Sequence, residues 1–211
     1  ESYADIPTVV ETVGIVPPAL RAARVQEMKE IADFARMLQC DVVALHLGFI
    51  PHDKSNPLYG EVVEVTRDIL DHCKNNNQNL HLETGQETAA GLLEFISDVE
   101  RDNLFINFDP ANMILYGTGE PIEALLQVGG LVRSVHCKDA TWADNPGVEW
   151  GAEVPLNDGA VGMEDYLRTL DAIGYTGPLT IEREIPQDPE RQKTEIGNAV
   201  NLLTQLKDKI N

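Results

Sequence analysis

At 211 residues with 43% hydrophobic side chains, the chain has enough apolar material for one globular domain with a substantial core. Its formal charge of −19, from 35 acidic against 16 basic residues, opposes binding to phosphate-rich nucleic acid. No apolar run is long enough to span a bilayer, and Glu1-Ser-Tyr-Ala-Asp5 has neither the basic start nor the apolar centre of a secretory leader.

Residues 1–18 read as a loop, closed by Gly14 and Pro17-Pro18, and a proline suits the opening of the helix that follows. Leu20, Val25, Met28, Ile31, Ala32, Ala35 and Leu38 recur at helical spacing over residues 20–38. Residues 41–47 form the first strand, with Ala44 and His46 on one face by period 2. A loop over 49–59 leads to a helix at 61–74, which the Asn75-Asn-Asn77 run ends. A strand at 79–83 and a helix at 87–100 come next. The central strand, Asn103-Leu-Phe-Ile-Asn-Phe-Asp109, is followed by Pro110, which forbids further pairing and predicts a loop. A short helix at 120–128 and a strand at 131–136 follow. Residues 139–162, with Trp142, Trp150, two prolines and several glycines, read as a long binding loop or lid. A helix at 163–173, a strand at 178–182 and a helix at 189–209 complete the order.

One helix followed by five βα units implies a parallel sheet with right-handed crossovers. Strand-end residues at 46, 83, 109, 136 and 182 have the spacing of a (β/α) barrel. A closed barrel has eight strands and about 250 residues. The expectation is therefore a single domain over 1–211, a TIM (β/α)8 barrel lacking its first three strands in this sequence, either as a fragment or with an N-terminal segment omitted.

Four strands end on Glu83, Asp109, His136 and Glu182. In a parallel barrel those ends meet on one rim, where such folds keep their chemistry. Three carboxylates crowded together repel one another unless a cation lies between them. Carboxylates with one imidazole suit one hard or borderline divalent metal ion: Mn, Mg, Co or Zn. His46 faces the interior by parity and is a candidate for substrate contact. Lys138 can neutralise a substrate oxyanion or pair with a local acid. Glu184 shares the parity of Glu182, His81 suits a structural place below Glu83, and Trp142 and Trp150 suit a roof over the site or a subunit interface, which leaves a homo-oligomer open. Cys40, Cys73 and Cys137 lack a C-x-x-C spacing, so reduced, mostly buried thiols in a cytoplasmic protein are expected.

The strings Leu82-Glu-Thr-Gly85, Phe108-Asp-Pro-Ala-Asn112, Val135-His-Cys-Lys-Asp139 and Gly177-Pro-Leu-Thr-Ile-Glu-Arg-Glu184 resemble the sugar phosphate isomerase/epimerase proteins with a xylose isomerase-like barrel. The resemblance runs from Val13 over essentially the whole chain. It implies metal ligation by Glu83, Asp109, His136 and Glu182, and a sugar or sugar phosphate as partner, with neither nucleic acid nor membrane. It also implies that Glu83 and Glu182 move a proton: one removes it beside a carbonyl, and the other returns it to the opposite face through an enediolate. Two positions depart from the keto-sugar epimerases. Asn112 stands where they carry a histidine, and Trp142 where they carry an arginine, so Asn112 is retained as a substrate-binding candidate with contacts of its own.

The first expectation is a metal-dependent sugar or cyclitol isomerase, epimerase or dehydratase, and two further functions compete with it. An apurinic endonuclease-like hydrolase of the same barrel would need a histidine-rich three-zinc cluster, but the chain has five histidines and no Asp-x-His after His136. A non-catalytic sugar-binding barrel would have no need for a full ligand set.

Overall fold

The computed structural model describes residues 6–210, so the expectation for Glu1-Ser-Tyr-Ala-Asp5 lies outside them. The elements are α1 (Ile6–Thr12), α2 (Pro18–Met37), β1 (Val42–Leu45), α3 (Pro57–Asn75), β2 (Asn79–Glu83), α4 (Ala89–Val99), β3 (Leu104–Phe108), α5 (Pro110–Tyr116) and α6 (Pro121–Val128). A 3-10 turn leads into β4 (Val132–Cys137), and β5 (Asp139–Thr141), β6 (Ala152–Val154), α7 (Met163–Ala172), β7 (Leu179–Ile181) and α8 (Pro189–Ile210) follow. Strands β1-β2-β3-β4-β7 pair in that order, all parallel, as five consecutive strands of a (β/α) barrel. The edges of this sheet are β1 and β7.

The side of the sheet opposite the site carries the core. Leu80, Leu82, Ile106, Phe108 and Val135 are buried beneath Ile69, Leu70, Phe95 and Leu125 of the flanking helices. Each such side chain contributes about 1.5–3 kcal/mol on burial. Polar side chains tie the lower loops. Asn103 donates to the Leu70 and Gln78 carbonyls, and Gln78 donates to those of Ala32 and Cys40. Between β3 and β4 the register shifts at Ile106/Asn107, so Ser134 and His136 follow an irregularity that resets which residues face inward.

Four local expectations need correction. Residues 6–12 are helical, within a stretch read as loop. Pro110 does not open a loop: it stands at the first position of α5, where no backbone N–H is needed, and the Asp109 carboxylate caps the helix by accepting from Asn112 N at 3.0 Å. The segment 139–162 is not structureless, because β5 and β6 pair antiparallel within it. Helix α3 also starts earlier than expected, at Pro57 behind an Asn56 cap. Of the three thiols, Cys73 and Cys137 are buried and Cys40 is exposed.

Candidate metal centre

The parallel sheet delivers the four strand-end residues to one point. Glu83 closes β2, Asp109 follows β3, His136 lies near the end of β4, and Glu182 follows β7, where its N–H donates to the Cys137 carbonyl. One donor atom from each lies within 4.8 Å of every other. Thr84 fixes the first two: its hydroxyl donates to the Asp109 carbonyl at 2.9 Å and accepts from the Asp109 N–H at 2.8 Å. Gly85, at φ +148°, lets the next turn lie against α5, since a Cβ there would meet the Cβ of Asn112 at 2.6 Å.

His136 is the hub. Its Nδ1 lies 3.0 Å from Glu182 Oε2, 3.2 Å from Asp109 Oδ2 and 3.4 Å from Glu83 Oε1. Burial works against a charged ring, but hydrogen bonds to Asp109, Glu182 and Glu83 outweigh it and push the imidazole up to about 12. Burial likewise resists charge on Glu83, yet bonds from His136 and His46 bring it down to about 2. Glu182 is held below the ordinary range against its burial by His136 and Lys138, whereas burial lifts the fully enclosed Asp109 above it. Three carboxylates around one imidazolium are thus balanced in part by a proton. The donor set, carboxylate oxygens with one imidazole nitrogen turned to a common point, suits a divalent cation in the proton's place.

The remaining candidates surround this point. His46 Nε2 lies 3.1 Å from Glu83 Oε1. Asn112 donates to Glu83 Oε1 at 3.0 Å and accepts from Lys138 Nζ at 3.3 Å, and the same ammonium donates to Glu182 Oε2 at 3.1 Å. Asn112 and Lys138 therefore bridge the two glutamates. Glu184 Oε1 stands 3.6 Å from Lys138 Nζ, although its side chain is 70% exposed. His81 is buried lower down with Nδ1 at 2.8 Å from Ser134 Oγ, in the structural place expected of it. Trp150 packs on Tyr116 at 4.9 Å between ring centroids, and both line a cleft of about 1000 Å³ with His46, Asn112 and Glu184. Trp142 packs against the core instead.

Several contributors have no ligand-type signature in sequence. Gln86 is buried with its Nε2 at 3.0 Å from His46 Nδ1, and Asn107 Nδ2 lies 3.1 Å from His136 Nε2. Strand parity was the available signal for Asn107, which precedes Asp109 by two. Arg183 donates to Glu153 of β6 and Glu195 of α8, both at 2.7 Å, and so ties the β5–β6 ribbon down beside Glu182.

Comparison with known proteins agrees with this fold. The crystal structure of a xylose isomerase domain protein from Planctomyces limnophilus matches with a TM-score of 0.97 at 61% identity, over 100% of this chain and 75% of that one. A D-tagatose 3-epimerase-like protein shares the fold at 19% identity and TM-score 0.75, over 94% of this chain and 74% of its own. An uncharacterised protein of Methanocaldococcus jannaschii is 26% identical over 190 residues, 82% of this chain. The chain spans 61% of the length of that relative. A family model described as a xylose isomerase-like TIM barrel matches residues 11–205. With most of its length matched by that model, the chain belongs to the xylose isomerase-like TIM barrel family.

Proposed function

We propose that this chain carries the reaction centre of a metal-dependent carbohydrate isomerase or epimerase, acting on a sugar, sugar phosphate or cyclitol by proton transfer beside a carbonyl. The observation that carries the reading is the pair of glutamates, Glu83 and Glu182, both within 3.4 Å of His136 Nδ1 and approaching it from β2 and β7, which stand on either side of the β3–β4 pair. Glu83, Asp109, His136 and Glu182 would hold one divalent ion: Mn, Mg, Co or Zn. Among proteins of the same fold, one from Mycobacterium smegmatis is described in complex with magnesium and another, IOLI, with a zinc atom. Others are described as an L-ribulose 3-epimerase and as a D-allulose 3-epimerase in complex with D-allulose.

A bound cation would polarise a substrate carbonyl and make the neighbouring C–H more acidic. Glu83, kept ionised by His46 and His136, would take that proton, and Glu182 would return one to the other face. His46, Asn112 and Lys138 would bind substrate oxygens, with Tyr116 and Trp150 as the apolar wall. Lys138 also favours a second reading, dehydration, since its ammonium at 3.1 Å from Glu182 could protonate a departing hydroxyl; a probable 3-DHS dehydratase has the same fold. No helix among the described residues is long and apolar enough to cross a membrane. The buried thiols of Cys73 and Cys137 fit a reducing, cytoplasmic setting.

Incubating the metal-loaded protein with candidate ketoses in deuterium oxide tests the reading. Label should enter the carbon beside the carbonyl, and Glu83→Gln should slow that exchange about 100- to 10,000-fold while metal remains bound. Isomerisation without solvent label would reject the two-glutamate mechanism. Loss of water with a conjugated product would select dehydration.

A further inference from the structure

Asn107 lies on β3 with its side chain almost completely buried, two residues before Asp109 and 3.1 Å from His136 Nε2. The opposite ring nitrogen, Nδ1, faces Asp109, Glu83 and Glu182. With a cation bound at Nδ1 in place of those contacts, the neutral ring carries its one proton on Nε2. An N–H at that distance from an amide needs the amide oxygen, and a half-turn of the carboxamide exchanges its oxygen and nitrogen. We propose that Asn107 is the positioning residue of this centre: its amide oxygen accepts the Nε2–H of His136 and so fixes both the orientation of the ring and the tautomer that leaves Nδ1 free to ligate.

The choice of residue fits its surroundings. A ligating histidine is held by an acceptor on its other nitrogen, often a carboxylate. Here three carboxylates already crowd Nδ1, and an amide accepts the same bond without adding a fourth negative charge. The nearby His81 does not compete for the role, because its Nδ1 is engaged with Ser134 at 2.8 Å. Asn107 is almost completely buried with its amide against the His136 ring, so the effect proposed for it runs through that ring.

The inference rests on the metal-binding reading, and metal affinity tests the two separately. Zinc and manganese affinities are measured by competition with a chelator for the wild-type chain, Asn107→Leu and Asn107→Asp. Asn107→Leu should bind about 10- to 100-fold more weakly, the usual loss when such a supporting acceptor is removed. Asn107→Asp should recover most of that loss, because its carboxylate accepts the same N–H; a residue that merely fills space would tolerate leucine better than a buried charge. Long-range ¹H–¹⁵N spectra of the zinc-loaded wild type should place the ring proton of His136 on Nε2. Equal affinity for wild type and Asn107→Leu, an Asp variant as impaired as the Leu variant, or a ring proton on Nδ1 would overturn the proposal while leaving the metal site in place. A wild-type chain that binds neither metal would remove the metal reading and this inference with it.

Discussion

The side chain on which the site turns is His136, because three carboxylates converge on one of its nitrogens. Its folded pKa of about 12 lies far above the ordinary 6.5. The imidazolium therefore stabilises the metal-free protein fully below pH 6.5, and that contribution fades as pH rises towards 12. A cation at Nδ1 must displace this proton, so binding at neutral pH should release about one proton per ion. Calorimetric titration in buffers of different ionisation enthalpy measures that release, and apparent affinity should climb with pH. Heats independent of the buffer would show that His136 keeps its proton and does not ligate. The four strand-end residues that gather at this point were legible in sequence because each charged or imidazole residue closes an apolar strand. Asn107 and Gln86 were not, since an amide near a strand end has many ordinary uses and its partner, His136 or His46, lies about 30 to 40 positions away.

At the scale of elements, residues that shape the site also terminate or fasten its supports. Asp109 both turns a carboxylate oxygen to the common point and caps α5, which places Asn112 against Glu83. Asp139, next to Lys138, is buried, and its carboxylate accepts from the N–H groups of Ala140, Asn157, Gly159 and Val161. Gly159 suits this place because a Cβ there would collide with the Asp139 carboxylate. Asp139→Ala would leave four backbone donors without their acceptor, at a cost of about 3 kcal/mol. Hydrogen exchange should then speed up over residues 155–161 and leave β3 protected; unchanged protection in 155–161 would show that the loop does not depend on Asp139.

The same particulars explain where element-level reading stopped short. Pro110 is equally compatible with a broken strand and with the first turn of a helix, and the Asp109 cap decides between them. The β5–β6 ribbon is only three residues per strand in a Gly- and Pro-rich stretch, and its order comes from Asp139 and Arg183, contacts invisible to local propensity. Strands β2, β3 and β4 were legible because their alternate apolar residues meet one helical layer.

For the whole molecule, a parallel sheet converts positions 83, 109, 136 and 182 into neighbours, and the family match spans all four of them. A chain with a formal charge of −19 concentrates three of its acids there, so a divalent cation bound among them would offset local repulsion as well as equip the proposed reaction. Metal binding is the claim on which the proposed chemistry and the role of Asn107 both depend. The most direct test is elemental analysis of the purified chain after equilibration with manganese or zinc and removal of free ion, alongside Asp109→Ala and His136→Ala. The account predicts about one ion per wild-type chain and much lower occupancy in each variant that remains folded. Full occupancy in both folded variants, or a wild-type chain that retains no ion, would contradict it.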